Sequence, residues 1–427
     1  MLNSLPHEMN CVHLLAKSYL YYFLQRNNIF HTNNIIVLNI FVYLISNTTQ
    51  MMFERDIKMA VLSELVPGKV IKIFGSRRVG KTVLLEQIES EYTGNISVLN
   101  GEDYNTERLL SERTISNYRQ LLSGTDLLII DEAQNIKEIG LVLKLMVDAV
   151  KTVSILVSGS SSFDLHNKTG EPLVGRSYEF KLFPLSINEL LQKQTFLDLN
   201  KKIEDFLVYG NYPELCNFED FSKKTRYLNE ISNSYLLKDL LMIDGIKNSS
   251  KMRDLLRLVS FQIGSIVSYD ELGKQLGISR NTVEKYLDLL SKTFVIYKLP
   301  AYSTNPRKEI SKSSKWYFYD NGIRNAVIGD FRPLHIRSDI GALWENFMIS
   351  ERIKSCSNKR EISQFYFWRN YAGSEIDLIE ETNSNLKAFE FKWTGKELKT
   401  PLAFAKNYSQ IDYKVISRNN LVEFLNI

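Results

Sequence analysis

Eight consecutive residues carry the strongest chemical signal in the chain: Gly75-Ser76-Arg77-Arg78-Val79-Gly80-Lys81-Thr82. The spacing G-x-x-x-x-G-K-T is that of a phosphate-binding loop. Glycines at 75 and 80 let the backbone curl so that successive N–H groups point at phosphate oxygens. Lys81 then meets the β- and γ-phosphates, and the Thr82 hydroxyl ligates Mg²⁺. A second apolar run, Leu127 to Ile130, ends in Asp131-Glu132. This Walker B arrangement places Asp131 on Mg²⁺ through a water and Glu132 where it polarises an attacking water. Together the two motifs imply ATP and Mg²⁺ as cofactors, with hydrolysis rather than binding alone.

Two further groups belong to the same chemistry. The segment Ser158-Gly159-Ser160-Ser161-Ser162 follows an apolar run, and Ser158 or Ser160 is placed to orient the lytic water; a serine-rich turn also caps helices. Arg176, after Gly175, is a candidate arginine finger for the γ-phosphate, in cis or from a neighbouring copy. The second case requires a homo-oligomer.

These groups need a scaffold, and the pattern around them supplies one. Val70–Phe74 reads as a strand before the loop and Thr82 onward as a helix. Apolar runs at 96–99, 127–130 and 153–157 alternate with helical stretches at 107–122 and 139–150. Such a βαβ series predicts a parallel sheet with helices on both faces. Pro184-Leu185-Ser186 opens a helical region that continues past Gly210-Asn211-Tyr212-Pro213 to about residue 244. A capping box at Ser268-Tyr269-Asp270-Glu271, a turn at Gly277-Ile278 and a cap at Ser279 outline two short helices. In the second, Val283, Tyr286, Leu287 and Leu290 share one face, and Arg280, Asn281, Glu284 and Lys285 point away. Strands at 294–297 and 316–319, joined by a basic loop, complete the outline of a winged helix-turn-helix.

Nine Lys or Arg residues lie between Leu272 and Lys315, against Glu284, Asp288 and Glu309. Phosphate contact by Lys285, Arg307 and Lys308 follows, with Arg280 and Asn281 entering the major groove, so DNA is the expected macromolecular partner. Winged helices also serve as protein-binding modules, which is the rival reading. The last part opens with a helix near 341–353, followed by strands near 365–368, 376–379 and 388–393. Period-two alternation sets Glu390 and Lys392 on one face of the last strand, with Phe389, Phe391 and Trp393 on the other. Asp377 lies on the preceding strand and Glu345 on the upstream helix. The order helix, Asp, hairpin, E-x-K resembles the PD-(D/E)xK nuclease core. That resemblance implies that Asp377 and Glu390 bind Mg²⁺ and that Lys392 steadies the nucleophile or transition state, with Glu345 as a fourth group.

Composition sets outer bounds. At 427 residues the chain is long for one core, and 44% hydrophobic with 24% charged residues is ordinary for a globular protein. A net charge of +4 does not by itself announce a nucleic-acid binder. Cys11, Cys216 and Cys356 are far apart and the five histidines form no ligand cluster, which argues for a reducing, cytoplasmic setting and against a thiolate zinc site. Residues 1–51 stand apart as an atypical extension with few charges. The apolar run Ile35–Ile45 is shorter than the about 20 residues a bilayer span needs, and no leader pattern surrounds it. An upstream extension from a mis-set start codon is the reading preferred over a peripheral membrane anchor, and no stable membrane insertion is expected.

From about Met52 to the C-terminus the chain resembles a family of prokaryotic AAA+-type ATPases in which a P-loop domain precedes a winged helix and a nuclease-like domain. The resemblance rests on Gly75 to Thr82, on Leu128-Ile129-Ile130-Asp131-Glu132-Ala133-Gln134, on Ser158 to Ser162, and on Gly175-Arg176 with Pro184-Leu185-Ser186. Ser76 stands where relatives often have Pro, and Tyr209 stands where a second Gly would precede Gly210. The expected fold class is α/β, a parallel-sheet P-loop (AAA+-like) domain followed by a helical and winged-helix region and an α/β restriction-endonuclease-like domain. The expected boundaries are 1–51 extension, 52–200 P-loop domain, 201–255 helical linker, 256–333 winged helix-turn-helix and 334–427 nuclease-like domain. The expected function is ATP hydrolysis coupled to DNA engagement, with Mg²⁺-dependent cleavage by the last domain. The alternative is a nucleotide-controlled switch or scaffold whose nuclease-like domain binds without cutting.

Overall fold

The computed structural model describes residues 51–160, 173–235, 249–303, 314–382, 385–395, 399–408 and 411–425. Helix α1 (Lys58–Ser63) leads to β1 (Val70–Phe74), the phosphate-loop residues and α2 (Lys81–Glu91). Then come β2 (Ile96–Asn100), α3 (Tyr104–Ser111), α4 (Ile115–Leu121), β3 (Leu127–Asp131), α5 (Ile139–Ala149), β4 (Ser154–Gly159) and β5 (Ser177–Lys181). The five strands pair in parallel in the order β2-β3-β4-β1-β5. The stretch read as one helix at 107–122 is two, because Thr114 caps a fresh start by accepting from the Asn117 N–H.

Strand periodicity explains why this sheet is covered on both faces. Val70 and Phe74 of β1, Leu128 and Ile130 of β3, and Ile155 and Val157 of β4 enter one apolar core with α4 and α5. Their alternates Ile71, Ile73, Leu127, Ile129 and Leu156 enter another with α1 and α2. A parallel sheet buried on both sides must read as near-continuous apolar runs, and these strands do.

Helices α6 (Ile187–Leu191), α7 (Phe196–Tyr209) and α8 (Phe221–Glu230) follow, then α9 (Ser249–Phe261), β6 (Ile266–Val267), α10 (Tyr269–Leu276) and α11 (Arg280–Lys292). The strands β7 (Ile296–Pro300) and β8 (Ser314–Phe318) pair antiparallel, and β6 adds to the other edge of β8. Strand β7 starts two residues later than its apolar run because Phe294 takes a positive φ of 54°. Helix α12 (Asn321–Ile328) precedes the 19-residue α13 (Ile340–Asn358). Strands β9 (Gln364–Arg369), β10 (Glu375–Thr382), β11 (Asn385–Phe391) and β12 (Asp412–Ile416) form a mixed sheet in the order β12-β11-β10-β9, with α14 (Leu402–Asn407) and α15 (Leu421–Leu425).

Residues from Phe53 onward form one compact unit, and one core cluster runs from Phe53 through α13 to Leu425. The segments share buried polar ties as well. Lys354 and Glu351 on α13 reach the Leu185 carbonyl (3.2 Å) and the Ile187 N–H (2.8 Å) at the start of α6. Among the described residues no helix is long and apolar enough to cross a membrane. Residues 1–50 of the expected extension 1–51, Ser161 and Ser162, and the basic-loop residues Arg307 and Lys308 lie outside the described residues.

Candidate nucleotide site and C-terminal acid cluster

Gly75 ends β1 where a β-carbon would collide with the Leu182 carbonyl, so only glycine allows the turn. Gly80, at φ 94°, delivers the backbone into α2. Lys81 is buried, and its Nζ donates to the Gly75 and Ser76 carbonyls at 3.0 Å each, which holds it across the loop. One support was not read from the sequence. Arg55, buried, donates to the Val79 carbonyl (2.6 Å), the Phe183 carbonyl (2.6 Å) and Glu189 Oε1 (2.8 Å). It clamps the back of the loop to the segment after β5.

Strand β4 lies between β1 and β3, with Ser158 opposite Ile73. That order brings β4's C-terminal end beside the Walker B acid. The Thr82 hydroxyl donates to Asp131 Oδ2 at 2.7 Å, and the Ser158 hydroxyl donates to Asp131 Oδ1. Thr82 and Asp131 thus converge as an oxygen pair that suits Mg²⁺. Glu132 takes the left-handed conformation (φ 49°, ψ 42°), and its N–H is held by Asp131 Oδ1 (3.0 Å) and Ser158 Oγ (3.1 Å). Its carboxylate accepts from Gln134 Nε2, while Gln134 Oε1 accepts from the Ser160 N–H at 3.2 Å. Ser158 touches the acid directly, and Gln134 links the Glu132 carboxylate to the Ser160 backbone.

Arg176 lies elsewhere. It precedes β5, and its carbonyl accepts from the Val70 N–H at 2.9 Å, at the start of β1. The phosphate loop begins after Phe74, at the other end of that strand, roughly 13 Å away at 3.3 Å per residue. Arg176 Nε instead pairs with Asp148 at 2.9 Å on the surface. A role at its own nucleotide does not fit this placement; only a neighbouring copy could receive it.

The phosphate loop meets the segment 209–213 at a junction. Ser76 Oγ and Tyr212 Oη are 3.0 Å apart, so Tyr212 touches the phosphate loop directly. Its neighbour Asn211 donates its N–H to buried Asp320 Oδ2 at 2.7 Å, just after β8. Tyr209 stacks between Phe221 and Phe331 at 5.3 and 5.8 Å.

The structure brings Glu345, Asp377, Glu390 and Lys392 close enough for each to act on the charge of the others. Lys392 Nζ donates to Glu390 Oε1 at 2.6 Å, consistent with one shared face, while Phe389 and Phe391 pack edge-on against Phe424. Asp377 Oδ2 accepts from the Phe391 N–H at 2.8 Å. Burial, and then the charge of Asp377, push the Glu345 carboxyl up to about 7. Burial raises Asp377, and burial plus Asp377 raise Glu390. Into this set comes Lys315 of β8, 1% exposed: its Nζ donates to Glu345 Oε1 at 3.2 Å and pairs with Glu375. Tyr317 donates to the same Glu345 oxygen. Lys315 therefore does not belong to the exposed basic surface that its composition suggested. Among the described residues, the one trio of His, Cys, Asp or Glu whose ligand atoms all lie within 4.8 Å is Cys356, Glu361 and Glu380. Glu380 there is held by both Arg352 nitrogens at 2.7 and 2.9 Å. Glu345, Asp377 and Glu390 do not bring one oxygen each to within 4.8 Å of one another.

On α11, Arg280, Asn281 and Lys285 are exposed together with Glu284 and Asp288, and Arg280 pairs with Asp270 at 3.3 Å. The outward face is of mixed charge.

The sheet order, the loop and the Thr82–Asp131–Ser158 set are those of a P-loop nucleotide-binding domain. Residues 67–191 match the family described as AAA domain, residues 200–333 a domain of unknown function (DUF8612), and residues 340–424 another (DUF4143). The chain is similar to an uncharacterized protein of Mycobacterium tuberculosis, 25% identical over 347 residues, covering 80% of this chain and 74% of that one. It is similar to another of Methanocaldococcus jannaschii, 26% identical over 370 residues, covering 81% and 79%. Among solved structures, the Walker-type ATPase PABY2304 of Pyrococcus abyssi superposes with a TM-score of 0.43 at 17% identity, covering 65% of this chain and 97% of that one.

Proposed function

We propose that this chain binds and hydrolyses ATP and uses its nucleotide state to control engagement of DNA. The observation that carries the ATPase reading is the hydrogen-bonded set Thr82–Asp131–Ser158 beside Lys81, with Glu132 held immediately after the metal acid. Mg²⁺ bound by Thr82 and Asp131 would neutralise phosphate charge. Lys81 adds a charge-assisted contact to the phosphates, and Glu132 takes the proton of the attacking water. Titration calorimetry with ATP tests the site. Lys81→Ala is expected to weaken binding more than about tenfold, the loss of one charge-assisted hydrogen bond; unchanged affinity would refute the role of the loop.

Coupling is supported by a continuous run of contacts: Ser76 to Tyr212, Asn211 to Asp320, and Asp320 to the end of β8. A shift of the loop on nucleotide binding therefore acts on the sheet beside α11. For DNA, the support is the winged-helix-like order of α10, α11 and the β6-β8-β7 sheet, with Arg280, Asn281 and Lys285 exposed. Fluorescence anisotropy on a DNA duplex over a range of salt concentrations tests this. Removing Arg280 and Lys285 together should weaken binding and lower the slope of log affinity against log salt by about one, for the phosphate contact of Lys285. A slope that does not change removes α11 from the DNA interface. Between the two readings of the C-terminal domain, the ammonium of Lys315 among its carboxylates favours binding without cutting.

A further inference from the structure

The C-terminal domain carries Glu345, Asp377, Glu390 and Lys392 in the order of a metal-dependent nuclease, yet a fifth residue from outside that domain occupies the cluster. We propose that the Lys315 ammonium is the resident cation of this cluster, standing where a divalent metal would otherwise be bound and fixing the C-terminal sheet to strand β8.

Position makes the case. Lys315 is paired on both edges of its strand, opposite Ile266 of β6 and Leu299 of β7, so its backbone cannot swing the side chain away without opening the three-stranded sheet. Period-two alternation sends Lys315 and Tyr317 to the same face, and both end on Glu345 Oε1. The ammonium lies over the Phe367 ring at 5.3 Å, which closes its apolar side. Its polar side meets Glu345 from α13 and Glu375 from β10, so one lysine ties three elements together. A buried ammonium is stable only where carboxylates surround it, and buried carboxylates need a cation; each supplies what the other lacks. Of the other groups that face the cluster, Asp377 Oδ2 accepts from the Phe391 N–H and Glu390 Oε1 from Lys392, while Glu390 Oε2 is buried without a hydrogen-bond partner. Among the described residues, no three carboxylates of this cluster bring an oxygen each to within 4.8 Å of one another, as expected when a tethered ammonium has set their separation.

The inference is independent of the ATPase reading, because its test uses nucleotide-free protein. Mn²⁺ binding is counted by electron paramagnetic resonance of the free ion. The parent is expected to bind no Mn²⁺ that Asp377→Asn abolishes, and Lys315→Met is expected to gain one equivalent that Asp377→Asn removes again. Lys315→Met should also melt at a lower temperature than the parent and recover when Mn²⁺ is added, whereas the parent's melting temperature should not respond. Should Lys315→Met fail to fold, the double variant Lys315→Met/Glu345→Gln removes one charge of each sign, and it is expected to fold and still gain Mn²⁺ binding. Mn²⁺ bound by the parent and lost with Asp377→Asn would overturn the proposal. So would a folded Lys315 variant that takes up no Mn²⁺. Failure here leaves ATP binding untouched, so it is distinguishable from failure of the nucleotide site.

Discussion

Glutamine in place of Glu132 leaves ATP affinity unchanged and lowers turnover by at least about 100-fold, the usual worth of a positioned general base. The separation follows from where each contact sits. The groups that face phosphate come from Gly75 to Thr82 and the metal acid is Asp131, so none of them is altered. Glu132 contributes only its carboxylate, in a turn whose backbone is held by its own N–H on Asp131 Oδ1 and Ser158 Oγ. Glutamine tolerates that turn as well as glutamate and keeps one oxygen to accept from Gln134 Nε2. What it cannot do is take a proton. Steady-state phosphate release, set beside ATP titration, reads the two effects apart. Turnover at the parent's rate would remove Glu132 from the chemistry. A matched loss of binding would mean instead that the turn had collapsed.

That site was legible because its signals are local. A strand, a glycine loop and a helix N-terminus follow one another within Val70 to Leu85, and each acts through backbone geometry that neighbouring residues determine. Arg176 shows where locality misleads. It stands beside the domain's last strand in sequence, but a residue before a parallel strand lies at the opposite sheet edge from a loop that follows one, and the direction of β5 already implied this. The C-terminal residues came together because alternation and element order are also local. The presence of Lys315 beside them did not follow, since its glutamate partner lies 30 positions away. Composition assigned Lys315 to a basic loop, although the alternation of Lys315 and Tyr317 in an apolar strand was a usable sign that both point inward. Arg55 gave no such sign: its partners Val79, Phe183 and Glu189 are separated from it by 24, 128 and 134 positions.

Alanine at Gly210 is expected to destabilise the fold by about 3 kcal/mol or more, and the part of that cost due to overlap with Asp320 should disappear when Asp320 is also alanine. Two separate terms act at this position. Gly210 has φ 73° and ψ −164°, a region essentially reserved for glycine, and holding another residue there costs about 1–3 kcal/mol. An added β-carbon would also overlap the Asp320 carboxylate, an overpacking cost of about 1–3 kcal/mol. The carboxylate cannot step aside. It is 5% exposed, accepts the Asn211 and Ile323 N–H groups at 2.7 and 3.1 Å, and caps α12. Asp320→Ala alone should therefore cost about 2–4 kcal/mol, from buried donors left without a partner and a lost cap. In that background only the backbone term remains for Gly210→Ala, so the two changes together cost less than the sum of each. Gly329→Ala measures only the milder penalty of the left-handed helical region, because Gly329 has φ 71° and ψ 29° with open space around it, and about 1 kcal/mol is expected there. Urea unfolding of the four variants beside the parent gives the cycle. A Gly210→Ala cost no larger than that of Gly329→Ala, or strict additivity with Asp320→Ala, would show that this junction does not hold the loop residues 210–213 against β8. The proposed path from Ser76 through Tyr212 to Asp320 would then lose its rigid link.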